Sequence, residues 1–169
     1  MKVIAIVAST LDGKIAKETS DNTSWTSRED KKFFQEETKK AGVLIMGRTT
    51  FDTIGRPLPG RKIFVLTKEK REHIGDDVIF LNAPLKDVLL EIQKRGYKTV
   101  FISGGASVYT QFLKEDLVDE VWMTFEPYLF GSGIPFMTEH VMKLLKRKEI
   151  IPLGTDAVVV KYDVVRQRG

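Results

Sequence analysis

Short, almost wholly apolar runs recur along the chain, separated by amphipathic or turn-rich stretches. The runs KVIAIVA from Lys2, VLIMG from Val43, KIFVLT from Lys62, VIFL from Val78 and TVFIS from Thr99 lack polar alternation, as expected of strands buried on both faces of a sheet. Between them SREDKKFFQEETKKA, Ser27 to about Ala41, reads as a helix with Ser27 at its start and Gly42 past its end. A short helix is expected from about Thr49 to Ile54. Pro84 opens another, PLKDVLLEIQKR, in which Leu85, Val88, Leu89 and Ile92 make one apolar face before Gly96 ends it. GGASVYTQFL reads as a glycine-led helix, EVWMTFE alternates, and EIIPL with AVVVKYDVV looks like a closing antiparallel pair. The remaining segments, STLDGKIAKETSDNTS, KEKREHIGDD and PYLFGSGIPF, carry turn residues and are read as loops. The sum is an α/β fold, one domain over residues 1–169, with a mixed, mostly parallel sheet of about eight strands flanked by about four helices. Ligands then belong at the carboxyl ends of the strands.

Composition narrows the chemistry without naming it. The chain is 42% hydrophobic and 30% charged, which suits one buried core in a soluble protein. No apolar run approaches the roughly 20 residues that span a bilayer. MKVIAIVAS is too short for the core of a signal peptide, so a cytoplasmic location is expected. The absence of cysteine excludes disulfides and thiolate chemistry. His73 and His140 lie far apart among charged residues, so no metal site is expected. A net charge of +4 favours anionic ligands, but the bases are interleaved with acids, unlike the stripe of a nucleic-acid binder. Abundant Lys, Arg and Glu resemble a thermophile's composition.

The candidate chemistry gathers at three strand ends. VLIMGRTTF delivers Gly47, Arg48, Thr49 and Thr50 to a helix start, where free N–H groups and the helix dipole favour a phosphate. VFISGGASVY does the same with Gly104, Gly105, Ala106 and Ser107, so two helix starts could hold the two phosphates of one dinucleotide. A glycine turn that only packs strand against helix is the alternative for each. KIFVLTKEK sets Leu66, Thr67 and Lys68 at the third end. Arg48 with Thr67 and Lys68 would suit a further dianion, such as the ribose phosphate that distinguishes NADP from NAD, unless Lys68 merely begins a solvated charge run. A Rossmann G-x-G-x-x-G is absent.

One carboxylate stands apart. Asp30 lies on the helix after the long loop, between Trp25 and Phe34 in the sequence. Ser27 and Asp30 fit a capping box, a purely structural device. The functional alternative is a buried acid at the mouth of the sheet, whose apolar setting would raise its pKa and let it hold a cationic or amidine-like heterocycle.

Taken together, IVASTLDGKI, Trp25 followed by SREDKKFF, VLIMGRTTFDTIGRPLPGRK, VFISGGASVY and VWMTFE resemble the dihydrofolate reductases over nearly the whole chain. The resemblance implies NADPH as cofactor. Gly47, Arg48, Thr49 and Thr50 would cradle its phosphates, with Leu66, Thr67 and Lys68 also on the cofactor. Gly104 and Gly105 would match the family's cis-linked glycine pair, and Ala106, Ser107, Val108 and Tyr109 would follow the pyrophosphate, while Ala8 and Ile15 border the nicotinamide. It further implies a dihydrofolate substrate with Ile6 and Phe34 beside the pteridine, Ile54 lining the aminobenzoyl channel, Arg56 near the glutamate tail and Arg61 facing its α-carboxylate. Asp30 would be the active-site acid, Thr124 its hydrogen-bonding partner, and Trp25 would stand near the water that supplies the proton. The implied reaction reduces 7,8-dihydrofolate to 5,6,7,8-tetrahydrofolate for one-carbon metabolism.

Some positions depart from that pattern. Ser24 precedes Trp25 and Thr26-Ser27 follow it where prolines are usual, Lys31 and Ser103 replace apolar residues, and the loop from Ile15 to Trp25 is longer and more polar. ASTLDGKIA, SWTSREDKKF and FGSGIPF also resemble the related reductase domain of riboflavin biosynthesis, whereas FDTIGRPLPGRK suits a folate tail. A non-catalytic nucleotide-binding module is a third alternative, against which the retention of both Asp30 and Thr124 counts. Apolar residues on both faces of AVVVKYDVVRQR would make a two-fold homodimer interface if the monomer leaves them uncovered.

Overall fold

The apolar runs become the centre of one twisted sheet. In the computed structural model, which describes residues 1–166, the elements are β1 (Lys2–Ser9), β2 (Lys14–Ala16), α1 (Arg28–Ala41), β3 (Val43–Gly47), α2 (Arg48–Ile54), β4 (Lys62–Leu66), β5 (Val78–Leu81), α3 (Leu85–Lys94), β6 (Thr99–Ile102), α4 (Ala106–Lys114), β7 (Glu120–Phe125), β8 (Ile134–Pro135), β9 (Leu144–Leu153) and β10 (Ala157–Val165). The main sheet has eight strands in the order β5-β4-β3-β6-β1-β7-β10-β9. Strands β1 and β3 to β7 are parallel, and β10 and β9 close one edge antiparallel. Gln167 and Arg168, at the end of the run AVVVKYDVVRQR, lie outside the described residues.

The pleat divides each buried run between two cores. Val3, Ala5 and Val7 of β1 pack on the face covered by α3 and α4, with Val88, Ile92, Phe112 and Leu113. Ile4 and Ile6 pack on the opposite face with Phe51 of α2 and Phe33 and Phe34 of α1. Continuous burial of such runs follows from helices on both faces.

Local signals explain the element ends. Ser27 caps α1, its hydroxyl accepting from the N–H of Asp30, and Gly42 ends the helix at φ +75°. Two expectations need extending. The segments read as loops contain a second, two-stranded sheet of β2 and β8, which period-two patterning cannot reveal at that length. It brings Gly133 so close to Ala16 that a Cβ would stand 2.6 Å from the Ala16 carbonyl oxygen. β9 also starts well before EIIPL, because LLKRKE is an exposed edge strand and carries no apolar run to mark it.

At the amino ends of the strands, Glu120 is buried and takes Lys2 at 2.7 Å, Lys148 at 2.6 Å and the indole N–H of Trp122 at 2.7 Å. Burial alone would raise its pKa, but donors from Lys148, Lys2 and Trp122 together hold it down to about 2. A depressed carboxylate stabilises the fold above its unfolded pKa, and the contribution is lost as pH falls through the folded value. Glu120→Ala should therefore destabilise the protein by about 2–3 kcal/mol near neutral pH, where it strands two lysines. That difference should shrink as denaturation is repeated from about pH 4.5 down towards 2. A loss that does not change with pH would assign the effect to packing.

Candidate active site

The carboxyl ends of the parallel strands open into a cavity of about 1380 Å³. A single small-molecule site is typically about 300–1,000 Å³, so this one has room for two ligands side by side. All the residues expected at the cofactor line it, and so do all those expected at the substrate except Thr124. Of the candidate catalytic residues Asp30 lines it, whereas Thr124 is buried behind Asp30 and Trp25 stands outside.

One half of the cavity is built from two glycine-led helix starts. The Gly47 N–H donates to the Gly104 carbonyl at 2.8 Å and the Ser103 N–H to that of Ile45 at 2.9 Å, which pins the ends of β3 and β6 together. A Cβ on Gly47 would lie 3.0 Å from Val108 Cγ2, and one on Gly105 would lie 3.3 Å from Thr50 Oγ1. Gly104 has φ +107°, and the Gly104–Gly105 peptide is cis. Side chains here would crowd the space between the two helix starts. Neither α2 nor α4 is capped by a side chain, so their first-turn N–H groups remain for a ligand. Arg48 is half-exposed and shares Asp52 and Glu69 with Arg71, at 3.3 and 3.4 Å for its own contacts. Exposed pairs of this kind contribute about 0–1 kcal/mol, so Arg48 can turn to an anion at little expense. Lys68 is exposed, and the Thr67 hydroxyl accepts from the Glu69 N–H at 3.0 Å.

The other half carries three buried ionisable groups, Asp30, Tyr109 and Arg61. Asp30, in the first turn of α1, is 8% exposed. Burial raises its pKa, a hydrogen bond from Thr124 opposes that, the negative charge of Glu126 adds to it, and Lys31 lowers it. Lys31 itself donates to the Thr26 carbonyl at 2.7 Å. Tyr109 donates to the Ile6 carbonyl at 2.6 Å, and burial raises its pKa so that the phenol stays protonated. Arg61 is 6% exposed and, among the described residues, bonds only neutral groups, Thr38 Oγ1 at 3.1 Å and the Pro59 carbonyl at 3.2 Å. Burial lowers its pKa, though a guanidinium stays charged.

The capping box is only half made. Ser27 Oγ accepts from the Asp30 N–H, but the Ser27 N–H turns to Glu126 Oε1 at 2.8 Å and not to Asp30. The Asp30 carboxylate is thereby free for the cavity. Glu126 went unnoticed in the sequence, yet the alternation of EVWMTFE puts Glu120, Trp122, Thr124 and Glu126 on one face. Trp25 anchors the long loop. Its ring meets Phe130 edge-on at 4.9 Å and Tyr128 at 6.2 Å, and its indole N–H donates to Asp21. Asp12 ties the same loop down by accepting from the N–H groups of Phe130 and Gly131, and with the Thr10 hydroxyl as the main cause its pKa is lowered to about 2.

A carboxyl whose folded pKa is raised contributes stability below its unfolded value, and that contribution is lost as pH rises through the folded value. Asp30→Asn should therefore raise Tm at pH 7–8, by an amount that vanishes below about pH 4. A Tm that falls, or a gain independent of pH, would show that the Asp30 charge is no burden to the fold.

A sequence profile described as Dihydrofolate reductase matches residues 2–125. A dihydrofolate reductase of Buchnera aphidicola subsp. Baizongia pistaciae is 32% identical over 154 residues, covering 89% of this chain and 88% of its own. Among solved structures, a dihydrofolate reductase from Enterococcus faecalis complexed with NADP(H) and RAB-propyl superposes with a TM-score of 0.78 at 26% identity, over 96% of each chain. A pyrimidine reductase-like protein from Corynebacterium diphtheriae superposes with a TM-score of 0.82 over 98% of this chain and 92% of its own. Its 16% identity speaks for the fold alone. With the profile covering most of its length and these relatives beside it, the chain belongs to the dihydrofolate reductase family.

Proposed function

We propose that the protein is an NADPH-dependent dihydrofolate reductase that converts 7,8-dihydrofolate to 5,6,7,8-tetrahydrofolate for one-carbon metabolism. The observation that carries this reading is Arg61. A buried guanidinium with only neutral partners among the described residues awaits an anion, and it lines the same cavity as Asp30, with Phe34, Ile54 and Leu58 as apolar wall. A ligand with an amidine-like edge at one end, an aromatic linker and a carboxylate at the other satisfies both ions.

When bound, NADPH supplies the hydride, delivered to the carbon of the pterin C=N bond. The uncapped starts of α2 and α4, with Arg48 and Lys68, would hold its phosphates. Asp30 would bind the amino-amide edge of the pterin and favour protonation of the ring nitrogen, with solvent as the proton source, and Thr124 would orient the carboxylate. Ile6, Ala8 and Ile15 would exclude water from the reacting face. Positioning is the main contribution of the protein.

The second reading is reduction of a phosphoribosylaminopyrimidine. It is favoured by Lys31, which brings a cation to the cavity wall beside Asp30, where a sugar phosphate would find it.

Loss of NADPH absorbance with dihydrofolate is the direct test. Arg61→Ala should raise KM for dihydrofolate roughly tenfold to a hundredfold, as expected for a lost charge-assisted pair, and leave KM for NADPH within about twofold. An unchanged KM for dihydrofolate, or turnover of the ribosylaminopyrimidine in place of folate, would sink the folate reading.

β10, whose run AVVVKYDVVRQR suggested a two-fold interface, is enclosed between β7 and β9, so we propose instead that two copies pair along β9, an outer edge of the sheet, where Leu144, Leu145 and Ile150 are exposed. Light scattering over a dilution series should give the mass of two chains. The mass of one chain at every concentration would end the idea.

A further inference from the structure

Glu126 follows β7 and is 1% exposed. Its Oε1 accepts from the Ser27 N–H at 2.8 Å and from the Ser27 hydroxyl at 2.7 Å. Ser27 Oγ in turn accepts from the Asp30 N–H at 3.1 Å. One chain of hydrogen bonds therefore runs from Glu126 through the helix cap to the backbone of Asp30. Neither carboxylate enters an ion pair among the described residues, and the nearby Lys31 ammonium is held by the Thr26 carbonyl. From α4 the only ionisable group coupled to Asp30 is Tyr109, whose hydroxyl is engaged by Ile6.

Satisfying the Ser27 N–H needs an acceptor and nothing more, which an amide would provide. Burying a charge without a counter-ion is costly, and here it is tolerated because two donors and the amino end of α1 face it. The negative charge acts on Asp30, whose pKa it pushes up.

We infer that Glu126 is a positioning residue for the reaction. Through Ser27 it holds the first turn of α1, and with it Asp30, at the mouth of the cavity, and it sets a second fixed negative charge behind Asp30. Two like charges sharing a site favour the protonated form of whatever occupies it, the Asp30 carboxyl or a ring nitrogen bound against it. The catalytic part of this inference rests on the reductase reading above, whereas the coupling of the two carboxylates does not.

Glu126→Gln keeps an acceptor for Ser27 and removes the charge, whereas Ser27→Ala keeps the charge and cuts the link to Asp30. The Asp30 carboxyl is titrated by carbon-13 NMR, assigned with Asp30→Asn, and the pH profile of NADPH oxidation is recorded in the same proteins. Activity that needs a proton at the site is present below the midpoint and fades above it. Glu126→Gln should shift both the Asp30 midpoint and the alkaline fall of kcat/KM to lower pH. Ser27→Ala should leave the Asp30 midpoint in place while kcat/KM falls roughly tenfold through misplacement. An unmoved Asp30 midpoint in Glu126→Gln overturns the inference, as does a uniform loss of activity with an undisplaced profile. If the Gln variant does not fold, the wild type decides: interacting carboxyls each show an inflection at the other's midpoint, and independent single inflections overturn the proposal. Absence of folate turnover in the wild type would remove the reductase reading and leave the NMR result to stand or fall by itself.

Discussion

Asp30 and Arg61 are buried groups of opposite charge that enter no ion pair among the described residues, and the rest of the site is arranged around that condition. An unpaired buried charge costs several kcal/mol even after relaxation. Thr124 softens the burden for Asp30, as Thr38 and the Pro59 carbonyl do for Arg61, by hydrogen bonding without neutralising. Electrostatic demand is thus left over for a ligand, and it is split between a cationic or amide edge and an anion. Glu120, at the other end of the sheet, makes the contrast. It is as buried as Asp30, but two lysines and an indole satisfy it completely. Glu120 is paired, and the acid in the cavity is not.

The parallel sheet makes that arrangement affordable in space. Six strands pointing the same way bring their carboxyl ends to one rim, where each chain must turn into a loop or helix and expose free N–H groups. Close approach of β3 and β6 at Gly47 and Gly104 narrows the rim between the two uncapped helices. The long loop and the turn after β7 then fold over the side, held by Asp12 and by Trp25 against Phe130. Trp25 thus serves the cavity at one remove, through the loop that borders it.

Much of this was legible in the residues. Strands buried on both faces announce themselves as apolar runs, and Ser27, Gly42, Pro84 and Gly96 mark helix ends by local chemistry alone. The glycine-led half was legible for the same reason, since glycines at strand ends state a local backbone need. What escaped was non-local or too short for a period. The β2–β8 pair offers too few residues to alternate visibly. The exposed strand β9 has no buried face along LLKRKE to leave a pattern. Arg61 carries no mark in the sequence that it is buried, because its burial depends on Thr38 of α1, 23 residues earlier, meeting the turn that holds Pro59 and Arg61.

The capping box illustrates the limit most sharply. Ser27 and Asp30 have the spacing at which a local rule predicts that each satisfies the other's N–H. Glu126 reaches Ser27 from 99 residues away and takes over half of that duty. A long-range contact thereby converts a structural acid into one whose carboxylate faces the cavity. The structural and functional readings of Asp30 were never exclusive: its N–H belongs to the helix cap, its carboxylate belongs to the site, and Glu126 is the residue that separates the two roles.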